Sequence, residues 1–252
     1  MNIRVMLNKV PEITLYFWII KIMATTVGET AADFLSFNLH FGLTGTSAIM
    51  GILLAIVLFM QFRSMKYVPW LYWLTVVLIS IVGTLITDNL VDNFGVTLRT
   101  ATTVFGLALL ITFTLWHASE KTLSVHTIVT PRRELFYWTA ILLTFALGTA
   151  AGDLAAEGLS LGYAKSALIF GSLIGVTSIA HYAFKANAIL TFWIAYILTR
   201  PLGASCGDYL SQPMNNGGLG LGTVITSTIF LSTIMGLVIY LTAVLRNAKE
   251  RA

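Results

Sequence analysis

Eight apolar stretches divide the chain, near residues 13–36, 43–62, 69–90, 97–117, 135–157, 163–184, 188–210 and 223–245. Each is close to the ~20 helical residues needed to cross a bilayer. The intervals between them leave room for turns and little else. The pattern predicts an all-α polytopic membrane protein with eight transmembrane helices.

The polar and aromatic positions inside these runs repeat. In each odd run an aromatic-Trp pair is followed by nine residues, a Gly, four residues and an Asp. Trp18, Gly28 and Asp33 are matched by Trp73, Gly83, Asp88, by Trp138, Gly148, Asp153, and by Trp193, Gly203, Asp208. A Gly-containing turn precedes each even run: Phe41-Gly42, Phe94-Gly95, Leu161-Gly162 and Leu221-Gly222. Successive Trp positions are 55, 65 and 55 residues apart, so the second half repeats the first at an offset of 120. The unit is a helix pair, with repeats over 11–66, 67–118, 132–186 and 187–246, and 119–131 connects two pseudo-symmetric halves. A unit that crosses twice keeps its orientation in every copy, so four parallel repeats surround an axis along the membrane normal.

This signature, with Glu120-Lys121-Thr122-Leu123-Ser124-Val125-His126 and Arg132-Arg133-Glu134-Leu135-Phe136-Tyr137-Trp138, resembles a bacterial family of membrane proteins built from four tandem two-helix repeats of unknown function. The resemblance covers nearly the whole chain. It implies an eight-helix inner-membrane protein and brings no substrate or activity with it, so function has to be read from the residues.

Composition agrees with a single membrane domain over 1–252: 57% of residues are hydrophobic, 10% are charged and the mean hydropathy is +0.84. No soluble catalytic domain fits beside the spans. The single cysteine, Cys206, excludes an internal disulfide and a multi-cysteine metal site. Arg4, Lys9, Arg63, Lys66, Lys121, Arg132, Arg133, Lys185, Arg246, Lys249 and Arg251 fall on one side of the predicted spans, against Arg99 and Lys165 on the other. Both termini are therefore expected in the cytoplasm. The pI near 9.2 reflects this bias and calls for no nucleic-acid partner. The first apolar run carries the full signature, so it is expected to belong to the mature fold and not to be cleaved as a leader.

Of the eleven acidic residues, the repeat places four at equivalent positions, Asp33, Asp88, Asp153 and Asp208. Ionisable groups in a span are costly and mark function. Glu29 shares the helix face of Asp33, four residues earlier. Its counterparts are Thr84, Thr149 and Ala204. Carboxylates with hydroxyls are hard oxygen ligands, suited to Mg²⁺, Mn²⁺, Ca²⁺ or protons. Glu29, Asp33, Asp88, Asp153 and Asp208 are the expected cation or metal ligands, with Thr84, Thr149, Lys21 and Arg200 in support. A straight helix would carry the acids to an outer vestibule, whereas a break at the repeated Gly would leave them at mid-membrane; the sequence leaves both open. Lys21 and Arg200 break the symmetry, either as charges that offset the acids or as members of fixed salt bridges. Asp92 and Glu157 read as solvated loop acids.

Other signals are structural. The four Trp residues fit an aromatic belt and inter-repeat packing, and Pro201 is expected to kink or interrupt its helix. Glu120 and Glu134, with His117, His126, Lys121, Arg132 and Arg133, fit surface salt bridges and headgroup contacts. The glycine-rich stretch 217–222 has no preceding strand and is not a nucleotide loop.

These readings converge on a transporter of the bacterial inner membrane that moves a cation, divalent or proton-coupled, without a resident cofactor; any bound divalent ion would be its cargo. An intramembrane aspartyl enzyme is the alternative, but Gly152-Asp153 and Gly207-Asp208 lack the second glycine of that motif. A regulatory protein acting through the connector is a third reading, and it leaves the repeated acids unexplained. The expected partners are the lipid bilayer and a small cation. The sequence leaves open the ion, the direction and whether the chain forms a homo-oligomer.

Overall fold

The computed structural model describes residues 8–250, with side chains from 8 to 246. Arg4 and Arg251, and the side chain of Lys249, fall outside this range. The described residues form eight long helices and no strand: α1 Leu15–Asp33, α2 Gly42–Arg63, α3 Pro69–Asp88, α4 Leu98–Glu120, α5 Pro131–Asp153, α6 Tyr163–Tyr182, α7 Ala188–Ser211 and α8 Gly222–Glu250.

Local chemistry sets the ends. Thr14, Thr97 and Thr130 accept hydrogen bonds from backbone N–H groups in the first turns of α1, α4 and α5, and Asn187 does so for α7. Pro69 and Pro131 stand at helix starts, where the missing N–H costs nothing. The four turn glycines, Gly42, Gly95, Gly162 and Gly222, all have positive φ, the backbone state in which an added side chain is strained.

Seven helices are long and apolar enough to cross a membrane, which makes this a multi-pass membrane protein. Only α1 falls short, and it carries Lys21 and Glu29 in its interior. Both side chains are buried among other helices.

The odd helices make a closed ring, with α1 packed on α3, α3 on α5, α5 on α7 and α7 on α1. The signature glycines are the crossing points. A Cβ added at Gly28 would strike Ser80, at Gly83 Phe145, at Gly148 Arg200 and at Gly203 Thr25. Thr25, Ser80, Phe145 and Arg200 each precede the glycine of their own repeat by three residues. Every repeat thus presses its glycine on the same position of the next, and the fourth closes on the first. Small residues permit such close helix approach in a membrane, where packing rather than water exclusion drives association.

The same cyclic rule holds lower down. Phe17 packs on Trp73, Tyr72 on Trp138, Tyr137 on Trp193 and Phe192 on Trp18, with ring centroids 5.6, 5.5, 6.4 and 5.7 Å apart. Trp73, Trp138 and Trp193 are buried, so for these three the expected inter-repeat packing holds and the belt is corrected, while Trp18 is half-buried. Each even helix lies outside the ring against the odd helix of the following repeat: α2 on α3, α4 on α5, α6 on α7 and α8 on α1. Burial separates the layers, at 61% for the apolar windows of α3, α5 and α7 against 11 to 28% for the even helices.

Helices α1, α3, α5 and α7 run unbroken through their glycines, and α7 also through Pro201. The break considered from sequence is therefore absent. In three repeats the aspartate leads instead into a widened π-turn, Phe34–Asn38, Asn89–Asn93 and Leu154–Gly158. Its i→i+5 bonds run from Leu39 N–H to Phe34 C=O (3.0 Å), Phe94 N–H to Asn89 C=O (3.1 Å) and Leu159 N–H to Leu154 C=O (2.8 Å). In the fourth repeat Gln212 N–H bonds the Asp208 carbonyl at 2.8 Å in ordinary α fashion, and Pro213 comes next.

At the opposite end of the ring Lys9 is buried. It meets the Glu134 carboxylate at 2.6 Å and the Phe62 carbonyl at 3.1 Å. Glu134 is 1% exposed and is not the surface group its sequence context suggested. Glu120 is half-buried, 2.7 Å from Arg133 and 3.8 Å from the exposed Arg132.

Candidate functional site: an acidic vestibule

Because the odd helices are parallel and closely crossed, equivalent residues stack in tiers around the ring axis. The deepest tier that reaches the site contains Glu29, Thr84, Thr149 and Ala204. Above it are Asp33, Asp88, Asp153 and Asp208, and above those Phe37, Asp92, Glu157 and Gln212. Glu29, all four aspartates and all four residues of the upper tier line one cavity of about 140 Å³, open at the end of the ring where α1, α3, α5 and α7 terminate. Asp92 and Glu157 are exposed, as expected of loop acids, yet they belong to this wall. Glu157 also accepts a hydrogen bond from the Tyr163 hydroxyl at 2.9 Å. Seven carboxylates therefore face one space.

Arg200 backs the cavity through Glu29 and is not itself part of the lining. Its side chain is fully buried, and its guanidinium touches all three other repeats. One terminal nitrogen donates to the Thr25 carbonyl at 2.6 Å. The other donates to Glu29 Oε2 at 2.8 Å, to Thr149 Oγ1 at 2.6 Å and to Thr84 Oγ1. Thr84 and Thr149 give their own protons to the carbonyls four residues back, Ser80 and Phe145, at 3.2 Å each, which leaves their lone pairs toward the guanidinium. A fixed ion pair thus exists, but its acid is Glu29. Among the described residues none of the four aspartates stands in a salt bridge.

Lys21 lies outside the cavity, two turns before Glu29 in α1. Its ammonium nitrogen is 3.1 Å from Thr199 Oγ1 and lies over the rings of Phe145 and Tyr196, 4.4 and 4.3 Å from their centroids. Among the described residues, no group of three or more His, Cys, Asp or Glu side chains is placed to hold a metal ion. The carboxylates line a vestibule and are not gathered into one ion's ligand shell.

The family description Repeat of Unknown Function (DUF347) matches this architecture four times, over residues 16–67, 71–122, 136–187 and 191–247. The chain belongs to the DUF347 family. Every DUF347 match begins two residues before a signature Trp, so the family unit coincides with the structural one: an odd helix, its acid, the glycine turn and the even helix. No curated protein and no solved structure is similar to the chain.

Proposed function

We propose that this DUF347 protein is a membrane transporter of a cation, divalent or proton-coupled, of the bacterial inner membrane. The observation that carries the reading is the convergence of four repeat-related aspartates and Glu29 on one open cavity, with Glu29 held from behind by a buried arginine. Carboxylates recessed between low-dielectric walls concentrate cations. Free of salt bridges, the aspartates keep their oxygens for a ligand. Because they line a cavity without forming one ligand shell, they suit an ion that retains part of its water, as Mg²⁺ does.

In this reading all eight helices cross the bilayer, since the polar residues of α1 point into the ring and cost nothing against lipid. Both termini are cytoplasmic and the vestibule faces outward. The Arg200 layer, the aromatic ring and the Lys9–Glu134 pair close the inner side. Alternating access then requires one pair of repeats to rock against the other, as parallel-repeat transporters do.

The test is cation flux into proteoliposomes with Mg²⁺, Mn²⁺ and Ca²⁺ as separate probes. Asp33→Asn combined with Asp153→Asn is expected to lower flux of the transported ion at least tenfold. Unchanged flux in that variant removes the reading.

A further inference from the structure

We propose that Lys21 is a proton-exchange site, so that cation movement through the vestibule is coupled to protonation of this one buried amine. The inference rests on the transporter reading above and extends it to the coupling ion. Lys21 is 1% exposed and stands in no ion pair among the described residues. The charged and titratable groups that face it are Arg200 and Tyr196 of α7; α5 contributes the Phe145 ring, and Glu29 on its own helix is already held by Arg200. Of these two buried cations, Arg200 has Glu29, and Lys21 has no carboxylate partner among the described residues. Of the two, only the lysine can shed its charge, because a guanidinium does not deprotonate in proteins.

A proton-exchange site has to hold both forms, and this one does. The ammonium has two aromatic faces and a hydroxyl acceptor, since Thr199 gives its own proton to the Tyr196 carbonyl at 2.7 Å. The free amine can still donate to Thr199. A second observation points to a transient partner: the Tyr196 hydroxyl, on the ring that covers Lys21, is buried without a hydrogen bond among the described residues. A buried hydroxyl left unpaired is costly, and a passing water or proton carrier beside Lys21 would satisfy it. The step is –NH₃⁺ to –NH₂ plus a proton released to water, with no other bond changed.

The coupling also has a direction of response. A cation entering the vestibule competes with Arg200 for Glu29, and a guanidinium freed from that acid adds its repulsion to Lys21. Cation binding and proton release then go together.

Proteoliposomes enclosing a pH-sensitive dye, with an imposed gradient of Mg²⁺, Mn²⁺ or Ca²⁺, read both ions. The wild type is expected to move protons against the transported cation. Lys21→Met and Lys21→Arg, the second keeping charge and bulk, are each expected to lower protons moved per cation at least tenfold while cation-induced thermal stabilisation persists. Wild-type cation flux without a pH change, or unchanged proton coupling in either folded variant, overturns the inference and leaves the transporter reading intact. Absence of flux of every cation in the wild type removes both.

Discussion

Gly83→Ala tests the cyclic glycine crossings that hold the vestibule together. An added Cβ would lie 2.6 Å from Phe145 Cβ, 3.2 Å from the Ala146 nitrogen and 3.3 Å from the Phe145 carbonyl carbon. None of these atoms can rotate away, so α3 and α5 must separate. Overpacking of this kind costs about 1–3 kcal/mol. Replacing a helical glycine by alanine also returns about 1 kcal/mol of helix propensity. Gly51→Ala supplies the comparison, because Gly51 is equally helical and an added Cβ there meets nothing within 4 Å. Both variants gain the propensity term, so their difference isolates the crossing and should be about 1–3 kcal/mol, with Gly83→Ala the less stable. Reversible unfolding by SDS titration in mixed micelles measures it. Equal stability of the two variants would refute the close crossing.

Arg200→Met leaves Glu29 buried and unpaired and should cost about 3–5 kcal/mol, whereas adding Glu29→Met should restore much of the loss, because the charge left stranded is what destabilises; the same titration reads the double-mutant cycle, and additive losses would contradict the pairing. Cysteines placed at Asp92 and at Lys66 in a Cys206→Ser background should react with a membrane-impermeant maleimide from outside and from inside the cell respectively, and the reverse labelling would invert the proposed orientation.

Much of this arrangement was legible in the chain. Invariant offsets between Trp18, Gly28 and Asp33 and their three copies identified the repeat, its parallel orientation and the acids that share one cavity. The role of the glycines was not legible, because a glycine in an apolar helix serves equally as a break or as a contact, and only the Cβ-free approach of Gly83 to Phe145 distinguishes them. Trp73 and Trp138 stand near helix starts, where the interface and an inter-repeat ring give the same pattern. Arg200 was conspicuous, but its choice of Glu29 over an aspartate depends on a three-repeat contact that no single helix encodes. Likewise Lys9 and Glu134 are 125 residues apart in sequence. Each looks like an ordinary member of a basic, solvated loop. The π-turns after the aspartates left no recognisable residue signal beforehand, although Pro213 does explain why the fourth repeat lacks one.

The four repeat-related aspartates are proposed to form a cation site. Thermal stability of the detergent-purified protein, measured with Mg²⁺, Mn²⁺ and Ca²⁺ and compared with the variant carrying Asp33→Asn, Asp88→Asn, Asp153→Asn and Asp208→Asn, tests it most directly. A ligand confined to the folded state adds about 2.7 kcal/mol at one hundred times its Kd. A concentration-dependent rise in Tm is expected with at least one of these ions, and its loss in the quadruple variant. A folded variant stabilised as strongly as the wild type, or a wild type indifferent to every ion, would contradict it.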